Sequence, residues 1–349
     1  MEIRYMDKSH GDSFLPKATP SPLASYAESK ANEKIIAGDA GGFHNYIVVL
    51  NEKSGSADLP GLRAFMEERA ASLGKNLKFL ELHKDMNLEG ELKTAAEAEG
   101  IEVYIAAGGD GTLASVADNA RRHNKVFAAI PCGTANVFAK EHNIPSNVKE
   151  AAELALSGKN LASVDVLEVK GKTYLCHISI GTYSWITLHT NAEAKRKYGR
   201  IAYIFSAIKL MFKEKIWNFE IVIDGKRIVR RASTIMVTNA GAMGASTMRW
   251  GENIATDDGI AEVCIFKART IKHYFALLWS FIKRKPHKHL KEYLQVHREA
   301  SVRGSGDLPV RADGERISNG GFSFRIIKHG LRVILPDNYV PSSTPVPAI

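Results

Sequence analysis

Apolar runs and helical patterns alternate between residues 45 and 130, and this alternation constrains the fold more than any other feature of the chain. A continuous apolar run predicts a buried strand at residues 46–50, and further strands are predicted at residues 77–82, 102–107 and 126–130. Helical patterns separate them at residues 60–73, 88–99 and 113–122. Regular strand–helix alternation predicts an α/β domain with a doubly wound, Rossmann-like parallel sheet. Ligands bind such sheets beyond the carboxyl ends of the strands, so a site is expected in the turns that follow these runs.

The sequence changes character after residue 163, where short segments joined by turns replace the longer alternation. These segments predict a mainly antiparallel β-sandwich, with helical patterns at residues 200–212 and 271–283. The predicted strands lie at residues 164–169, 173–180, 218–223, 226–232, 234–239, 259–266 and 323–327. A last run, 331–335, is able to return to the first sheet. The predicted divisions are a flexible extension at 1–42, the α/β domain at 43–163 with 328–336 able to join it, a β-rich domain at 164–327, and an irregular tail at 337–349.

The charge balance limits the classes of partner. The 349 residues carry a formal net charge of +9, which favours nucleic acid, phosphate compounds or an anionic membrane surface. No helix–turn–helix, zinc or aromatic-platform pattern supports nucleic acid, so no nucleic-acid partner is expected. Three widely spaced cysteines indicate free thiols in a reducing compartment. Neither a signal peptide nor an apolar run of about 18 residues is present, so we expect a cytoplasmic protein with peripheral membrane contact.

A glycine-rich turn joins the third predicted strand to a predicted helix: Gly108-Gly109-Asp110-Gly111-Thr112. Glycines let backbone N–H groups approach a phosphate closely, and the N-terminus of the next helix adds partial positive charge. The carboxylate of Asp110 suits a hydroxyl, Mg²⁺ or a water in the metal's shell better than it suits bare phosphate. A tight turn capped by aspartate is the structural alternative.

Three further turns carry polar residues. Residues 133–136, Gly-Thr-Ala-Asn, follow the fourth predicted strand and suit either phosphate and nucleotide contacts or a helix cap. Residues 257–259, Asp-Asp-Gly, suit either a hard cation or a solvated turn. Residues 313–315, Asp-Gly-Glu, contain the Asp-Gly pair of a common hairpin turn.

These motifs, in this order and at these intervals, resemble the diacylglycerol kinase catalytic-domain superfamily, which includes diacylglycerol, sphingosine and ceramide kinases and bacterial lipid kinases. The resemblance covers about residues 44–336. It implies transfer of the γ-phosphate of ATP to a primary hydroxyl of a membrane lipid, such as diacylglycerol, ceramide, a sphingoid base or phosphatidylglycerol. It also implies Mg²⁺ as cofactor, and a lipid-substrate role for residues 164–327.

The resemblance assigns roles residue by residue. Asp313 matches the general base that takes the proton of the acceptor hydroxyl. Asp165 matches an aspartate linked to Mg²⁺ through water, and Asp258 matches a ligand of a structural Mg²⁺. The implied nucleotide-binding residues are Asn51, Ser54, Gly55, Gly108, Gly109, Asp110, Gly111, Thr112, Gly133, Thr134, Asn136, Gly314 and Glu315.

The sequence departs from the family pattern at three positions. Glu52 replaces the proline of the first-strand turn, Val137 stands where an aspartate is frequent, and His83 stands where a threonine is expected. Two other interpretations stay open. One is a small-molecule kinase resembling NAD kinase or phosphofructokinase, which share the Gly-Gly-Asp-Gly motif. The other is a non-catalytic nucleotide- or lipid-binding regulator on the same fold.

A basic segment at residues 283–303 follows the apolar residues 274–282. It holds seven Lys or Arg residues against only Glu292 and Glu299. An apolar segment beside a basic cluster suits an anionic membrane surface, although a core helix followed by a solvated loop gives the same pattern. The sequence leaves open whether the chain forms a homodimer.

Overall fold

The computed structural model describes residues 38–52, 58–184, 216–244, 248–251, 253–283 and 287–339. The predicted helix at 200–212 and the candidate site residues Ser54 and Gly55 lie outside these ranges, as do most of the predicted extension and tail.

Four parallel strands form the predicted doubly wound part of the fold. They are β2 Asn45–Leu50, β3 Asn76–Glu81, β4 Val103–Gly108 and β5 Val126–Pro131, which lie side by side in the order β3-β2-β4-β5. Every residue of β4 and β5 is buried. Burial on both faces of a strand requires apolar residues at every position, which explains the continuous runs in the sequence.

Five α-helices of the described residues precede residue 160: α1 Leu59–Ser72, α2 Leu88–Ala98, α3 Asp110–Arg122, α4 Val137–Glu141 and α5 Val148–Ser157. Side-chain caps begin α1 and α2, since the Asp58 carboxylate accepts the N–H of Gly61 and the Asn87 amide oxygen accepts that of Gly90. Helix α5 was not predicted from the sequence, although Asn147 caps it in the same way.

The first sheet continues well beyond these four strands. A long strand, β17 Gly321–Leu335, pairs in parallel with β5 and antiparallel with β14 Glu299–Arg303 and β6 Asn160–Val169. The outer strands of this sheet are β9 Trp217–Ile223 and β10 Lys226–Ala232 beyond β14, and β1 Gly38–Asp39 and β7 Lys172–Tyr174 beside β6. One sheet therefore runs through both predicted domains, and the boundary between them stays a prediction.

A second sheet is antiparallel throughout its six strands in the described residues. Its strands lie in the order β13 Lys291–Val296, β12 Ala261–Phe266, β11 Thr234–Thr238, β8 His177–Gly181, β15 Pro309–Ala312 and β16 Glu315–Asn319. Side chains of both sheets, among them Ile180 and Val263 from the second and Phe219 and Phe324 from the first, share one buried core. The predicted fold class, an α/β domain with a mainly antiparallel β-sandwich, is confirmed.

Three segments differ from the prediction. Residues 173–180 form two strands, β7 and β8, rather than one. Residues 321–335 form one strand with a bulge between Ile327 and Leu331, whereas two separate strands were predicted there. The basic segment at 283–303 contains β13 and β14 rather than a loop, and α6 Ile271–Ile282 precedes it. Among the described residues, no helix is both long enough and apolar enough to cross a bilayer.

Candidate active site

The order of the parallel strands reverses between β2 and β4. The chain passes from β2 to β3 on one side and then returns to place β4 on the other side of β2. Such a switch point opens a crevice at the carboxyl edge of the sheet, where doubly wound folds bind their ligands. Asn51 follows β2 at this edge, and its side-chain Nδ2 donates to Oγ1 of Thr112 across the crevice at 2.7 Å. The predicted first-strand and glycine-rich turns therefore meet.

The glycine-rich turn places the start of α3 at this edge. Gly109 is the N-cap residue and, lacking a side chain, leaves α3 without a side-chain cap. A Cβ added to Gly108 would lie 2.5 Å from the Thr112 Cβ, so only glycine fits there. A Cβ on Gly111 would meet no described heavy atom within 4 Å. Backbone N–H groups at a helix start, beside open space, are suited to binding an anion.

The second turn packs directly against the first. A Cβ on Gly133 would lie 2.7 Å from the Cα of Gly109, so the two backbones approach too closely for any side chain at this position. Asn136 is left-handed (φ 47°), and its side chain closes its own turn. Its Oδ1 accepts the Gly133 N–H at 3.0 Å, and its Nδ2 donates to the Gly133 carbonyl at 2.9 Å. Thr134 is exposed beside them.

Asp110 ties the two turns together. Its Oδ2 accepts the N–H of Asn136 at 2.9 Å, and its Oδ1 accepts the N–H of Val137 at 2.6 Å. These are the first N–H groups of α4, which no intrahelical carbonyl can satisfy. The carboxylate therefore caps α4 from the start of α3, and this geometry favours a positioning role for Asp110.

Asp313 lies in the hairpin turn between β15 and β16, in a left-handed conformation (φ 42°), with a side chain that is buried. Its carboxylate accepts three consecutive backbone N–H groups, from Leu175 at 2.5 Å and from Cys176 and His177 at 3.0 Å. Burial raises the pKa of the Asp313 carboxyl above its usual range, although His177 and these N–H groups oppose the shift. A buried carboxyl with raised proton affinity suits a proton acceptor.

A three-residue strand connects Asp313 to the helix of the glycine-rich turn. In the middle of β7, the Thr173 N–H donates to Oδ1 of Asp118 on α3 at 2.8 Å. Just beyond the end of β7, the Leu175 N–H donates to Asp313. Burial lowers the pKa of His177, whereas the negative charges of Asp313 and Asp110 both act to raise it. Asp313 also accepts the backbone N–H of His177 and therefore lies directly beside this residue.

His177 lies beside Asp313 in the candidate active site but belongs to none of the motifs found in the sequence. It begins β8, its Nδ1 is buried with no hydrogen-bond partner among the described residues, and its ring lies 6.1 Å from that of Tyr183. Its place beside Asp313 follows from the register of β8 with β15, in which Ile178 pairs with Ala312. Only long-range strand pairing sets that register, so no local pattern identifies this residue.

The other residues of the Asp-Gly-Glu turn have different surroundings. Glu315 forms an ion pair with Lys172 at 2.7 Å, where both side chains are well exposed. Gly314 has a positive φ of 88°, as the hairpin requires, and its carbonyl accepts from the Arg311 side chain. The nucleotide contacts expected of Gly314 and Glu315 remain predictions.

Asp165 and Asp258 belong to a different cluster. The buried Asp165 carboxylate accepts the N–H of Gly259 at 2.6 Å and that of His329 at 2.7 Å, and burial raises its pKa. Asp258 is half-buried, and its Oδ1 accepts the N–H of Ile260 at 2.9 Å. These bonds fasten the 256–259 loop to β6 and to the bulge of β17. No group of three or more His, Cys, Asp or Glu among the described residues is placed to hold a metal ion, so both metal roles stay predictions.

Known proteins resemble both parts of this architecture. The diacylglycerol kinase catalytic domain model matches residues 45–169, and the model of the YegS C-terminal NAD kinase beta sandwich-like domain matches residues 176–335. A Staphylococcus carnosus protein named "Putative lipid kinase" is 24% identical over 245 residues, covering 68% of this chain and 78% of that protein.

Solved structures from Bacillus anthracis share the fold. One, described as a "putative diacylglycerol kinase", has a TM-score of 0.71 at 23% identity and covers 85% of this chain and 99% of its own. A second, described as a diacylglycerol kinase, has a TM-score of 0.67 at 22% identity and covers 86% and 99%.

The matched regions define a class of protein in which a diacylglycerol kinase catalytic domain precedes a β-sandwich. Residues 45–169 match the diacylglycerol kinase catalytic-domain family, and the predicted resemblance is confirmed.

Proposed function

We propose that this chain transfers the γ-phosphate of ATP to a primary hydroxyl of a membrane lipid, with Asp313 as the general base. The observation that carries the proposal is the link from the glycine-rich turn to Asp313. Asp118 of α3 accepts the N–H of Thr173 in the middle of β7, and Asp313 accepts the N–H groups of the residues just beyond that strand.

The nucleotide phosphates would lie at the start of α3. Phosphoryl transfer depends on positioning and on electrostatic stabilisation of the equatorial oxygens. The uncapped helix start, the open space beside Gly111 and the close packing of Gly133 on Gly109 supply a cradle of backbone for those oxygens. Asp110 would keep the two turns in register.

The acceptor hydroxyl would lie against Asp313. As its oxygen bonds to the γ-phosphorus, the bond from that phosphorus to the β,γ-bridging oxygen breaks and ADP leaves. The hydroxyl proton passes to the Asp313 carboxylate, whose raised pKa supports that role.

Mg²⁺ would neutralise phosphate charge when bound with ATP, and it stays a prediction. The described carboxylates do not offer a ready ligand set, because each oxygen of Asp110 and of Asp165 already accepts a backbone N–H. No step of the proposed reaction is therefore assigned to the metal.

The test is incubation of the purified chain with γ-labelled ATP and an acceptor panel, followed by lipid extraction. The panel holds diacylglycerol, ceramide, a sphingoid base and phosphatidylglycerol, with NAD and fructose 6-phosphate as small-molecule acceptors. Label in an extracted lipid supports the proposal. Label confined to a small-molecule acceptor, or nucleotide binding without turnover on any acceptor, contradicts it.

Asp313→Asn tests the base. It should lower turnover on the accepted lipid by about 100-fold or more, since general-base catalysis is worth about 10²–10⁴ in rate. ATP affinity, measured by calorimetric titration, should stay within about twofold and also reports that the variant is folded. The matched control is Asp307→Asn, an exposed aspartate just before β15, which should keep full turnover. Near-normal turnover in Asp313→Asn would remove Asp313 from the mechanism.

A further inference from the structure

One face of α6 exposes large apolar side chains to solvent. Phe275, Leu278, Trp279 and Ile282 are 60%, 44%, 61% and 51% exposed. Their spacing of three and four residues puts them on a single stripe of the helix, which we call the α6 patch. Scattered exposed apolar residues need no explanation, but a contiguous stripe with two large aromatics marks a surface that contacts something.

The opposite face of α6 already serves the fold. Leu277, Ser280 and Phe281 are buried there, and the Phe281 ring lies 5.7 Å from that of Trp250 and 5.9 Å from that of Phe266. The helix is thus anchored by one apolar face and presents a second. Packing within the described chain accounts for the first face only.

The charge around the α6 patch has one sign. Residues 263–291 contain eight Lys or Arg residues and no Asp or Glu. The ammonium of Lys283 lies 5.1 Å from the ring centre of Trp279 in the patch. Lys272 is exposed one turn before Phe275. Aromatic side chains bordered by lysines match the interface of an anionic bilayer, which offers acyl chains beside negative headgroups.

The structure also divides the basic segment at 283–303. Arg303 ends β14 in the first sheet, and Glu292 of β13 in the second sheet binds Lys267 and Arg230, the latter on β10 of the first sheet. Lys283, the first charge of the segment, adjoins the α6 patch at Trp279, whereas these later charges belong to the sheets, so the whole segment does not act as one membrane-binding loop.

Aromatic contacts connect α6 to the candidate active site. Trp250, which packs on Phe281, lies 5.8 Å from Tyr183, and Tyr183 lies 6.1 Å from His177 beside Asp313. A surface that binds α6 is therefore connected, through these ring contacts, to His177 at the candidate active site.

We propose that the α6 patch docks the chain on an anionic lipid bilayer, with Phe275 and Trp279 inserted among the headgroups. This inference rests on the proposed function, because docking there would bring a lipid hydroxyl to the Asp313 side of the molecule.

The test measures co-sedimentation without ATP, using vesicles of phosphatidylserine and phosphatidylcholine, lipids that carry no primary hydroxyl to accept phosphate. The full chain should bind mixed vesicles at low salt and bind pure phosphatidylcholine at least tenfold more weakly. Phe275→Ser/Trp279→Ser should weaken binding to mixed vesicles by about tenfold or more, since it removes most of the inserted apolar area. The matched control is Val229→Ser, an exposed apolar residue on β10, which should bind as the unaltered chain does.

Two results would overturn the docking proposal. One is equal vesicle binding by the double variant and the Val229→Ser control. The other is a stable dimer in sedimentation velocity that the double variant abolishes, with no vesicle binding by the unaltered chain, which would make a second copy the occupant. Docking and catalysis fail separately. Turnover of a short-chain, soluble acceptor should survive in the double variant, whereas loss of all turnover in the unaltered chain would sink the proposed function alone.

Discussion

Asp110 and Asp313 each accept several backbone N–H groups, although the sequence suggested metal and proton chemistry for them. Asp110 holds the start of α4, and Asp313 holds the segment between β7 and β8. Hydrogen bonds to an ionised carboxylate are stronger than neutral ones, so each residue fixes a segment that local backbone pairing leaves unpaired. At this scale, the same side chains that would do the chemistry also position the backbone around it.

Asp110→Asn tests the positioning role. The amide can accept only one of the two N–H groups, and its own N–H₂ would face the other, so α4 loses part of its cap. Unfolding free energy, measured by urea titration, should fall by about 1.5–3 kcal/mol. Affinity for ATP should fall as the Gly133 turn moves from Gly109. Asp85→Asn, an exposed loop aspartate, is the control and should change neither quantity. Unchanged stability in Asp110→Asn would show that the cap contributes nothing.

At the scale of elements, local pattern predicted what local pattern determines. The four parallel strands and the three predicted helices follow from apolar patterns and turn residues, and the structure places their ends within three residues of prediction. Residues 173–180 look like a single strand because nothing nearby reveals that Asp313, about 140 positions away, takes the N–H groups of Leu175 and Cys176. Candidate site residues on turns could likewise be predicted from the local sequence. His177 could not, because its position depends on the register between β8 and β15.

A buried histidine joins α4 to the 256–259 loop. His142 has no exposed surface, its Nδ1 donates to the Phe138 carbonyl, and its Nε2 accepts from the Thr256 hydroxyl, both at 2.9 Å. Burial lowers the pKa of His142 below its usual range. The native state therefore binds fewer protons than the unfolded chain below about pH 6.5, and acid weakens this connection.

The expected pH dependence follows from that sign. Between pH 7.5 and 5.5 the chain should lose stability through His142, by up to about 1.4 kcal/mol per pH unit below pH 6.5. His142→Gln should be less stable at pH 7.5, because its packing changes, but should lose less on acidification. Urea titrations at both pH values measure the difference. His289→Gln, at an exposed position, should retain the full acid dependence. An equal loss in His142→Gln and the unaltered chain would exclude His142 as the cause.

At the scale of the whole molecule, β17 is the element that crosses between the two parts. It pairs with β14 and β6 along most of its length and reaches β5 through Val333 and Phe127. A cluster of charges reinforces this crossing. Glu168 on β6 binds Arg121 of α3 at 2.8 Å and Arg325 of β17 at 2.6 Å, and the carboxylate is almost fully buried. Glu168 on β6 thus connects α3, the helix that follows the glycine-rich turn, to β17.

This continuity predicts one cooperative unfolding transition rather than two. Among the described residues, five of the six α-helices precede residue 160, so circular dichroism at 222 nm is sensitive to unfolding of the first part. All four tryptophans follow residue 184, so their fluorescence reports on the second. The two signals should give the same urea midpoint, as two-state unfolding requires.

Glu168→Gln should lower both midpoints together. The free energy of unfolding should fall by about 3 kcal/mol, because the substitution leaves two arginines without their carboxylate. Glu99→Gln, which breaks the exposed pair with Lys78, should cost less than about 1 kcal/mol. Separate midpoints in the unaltered chain would mean that the α/β part and the sandwich unfold independently, despite the shared sheet.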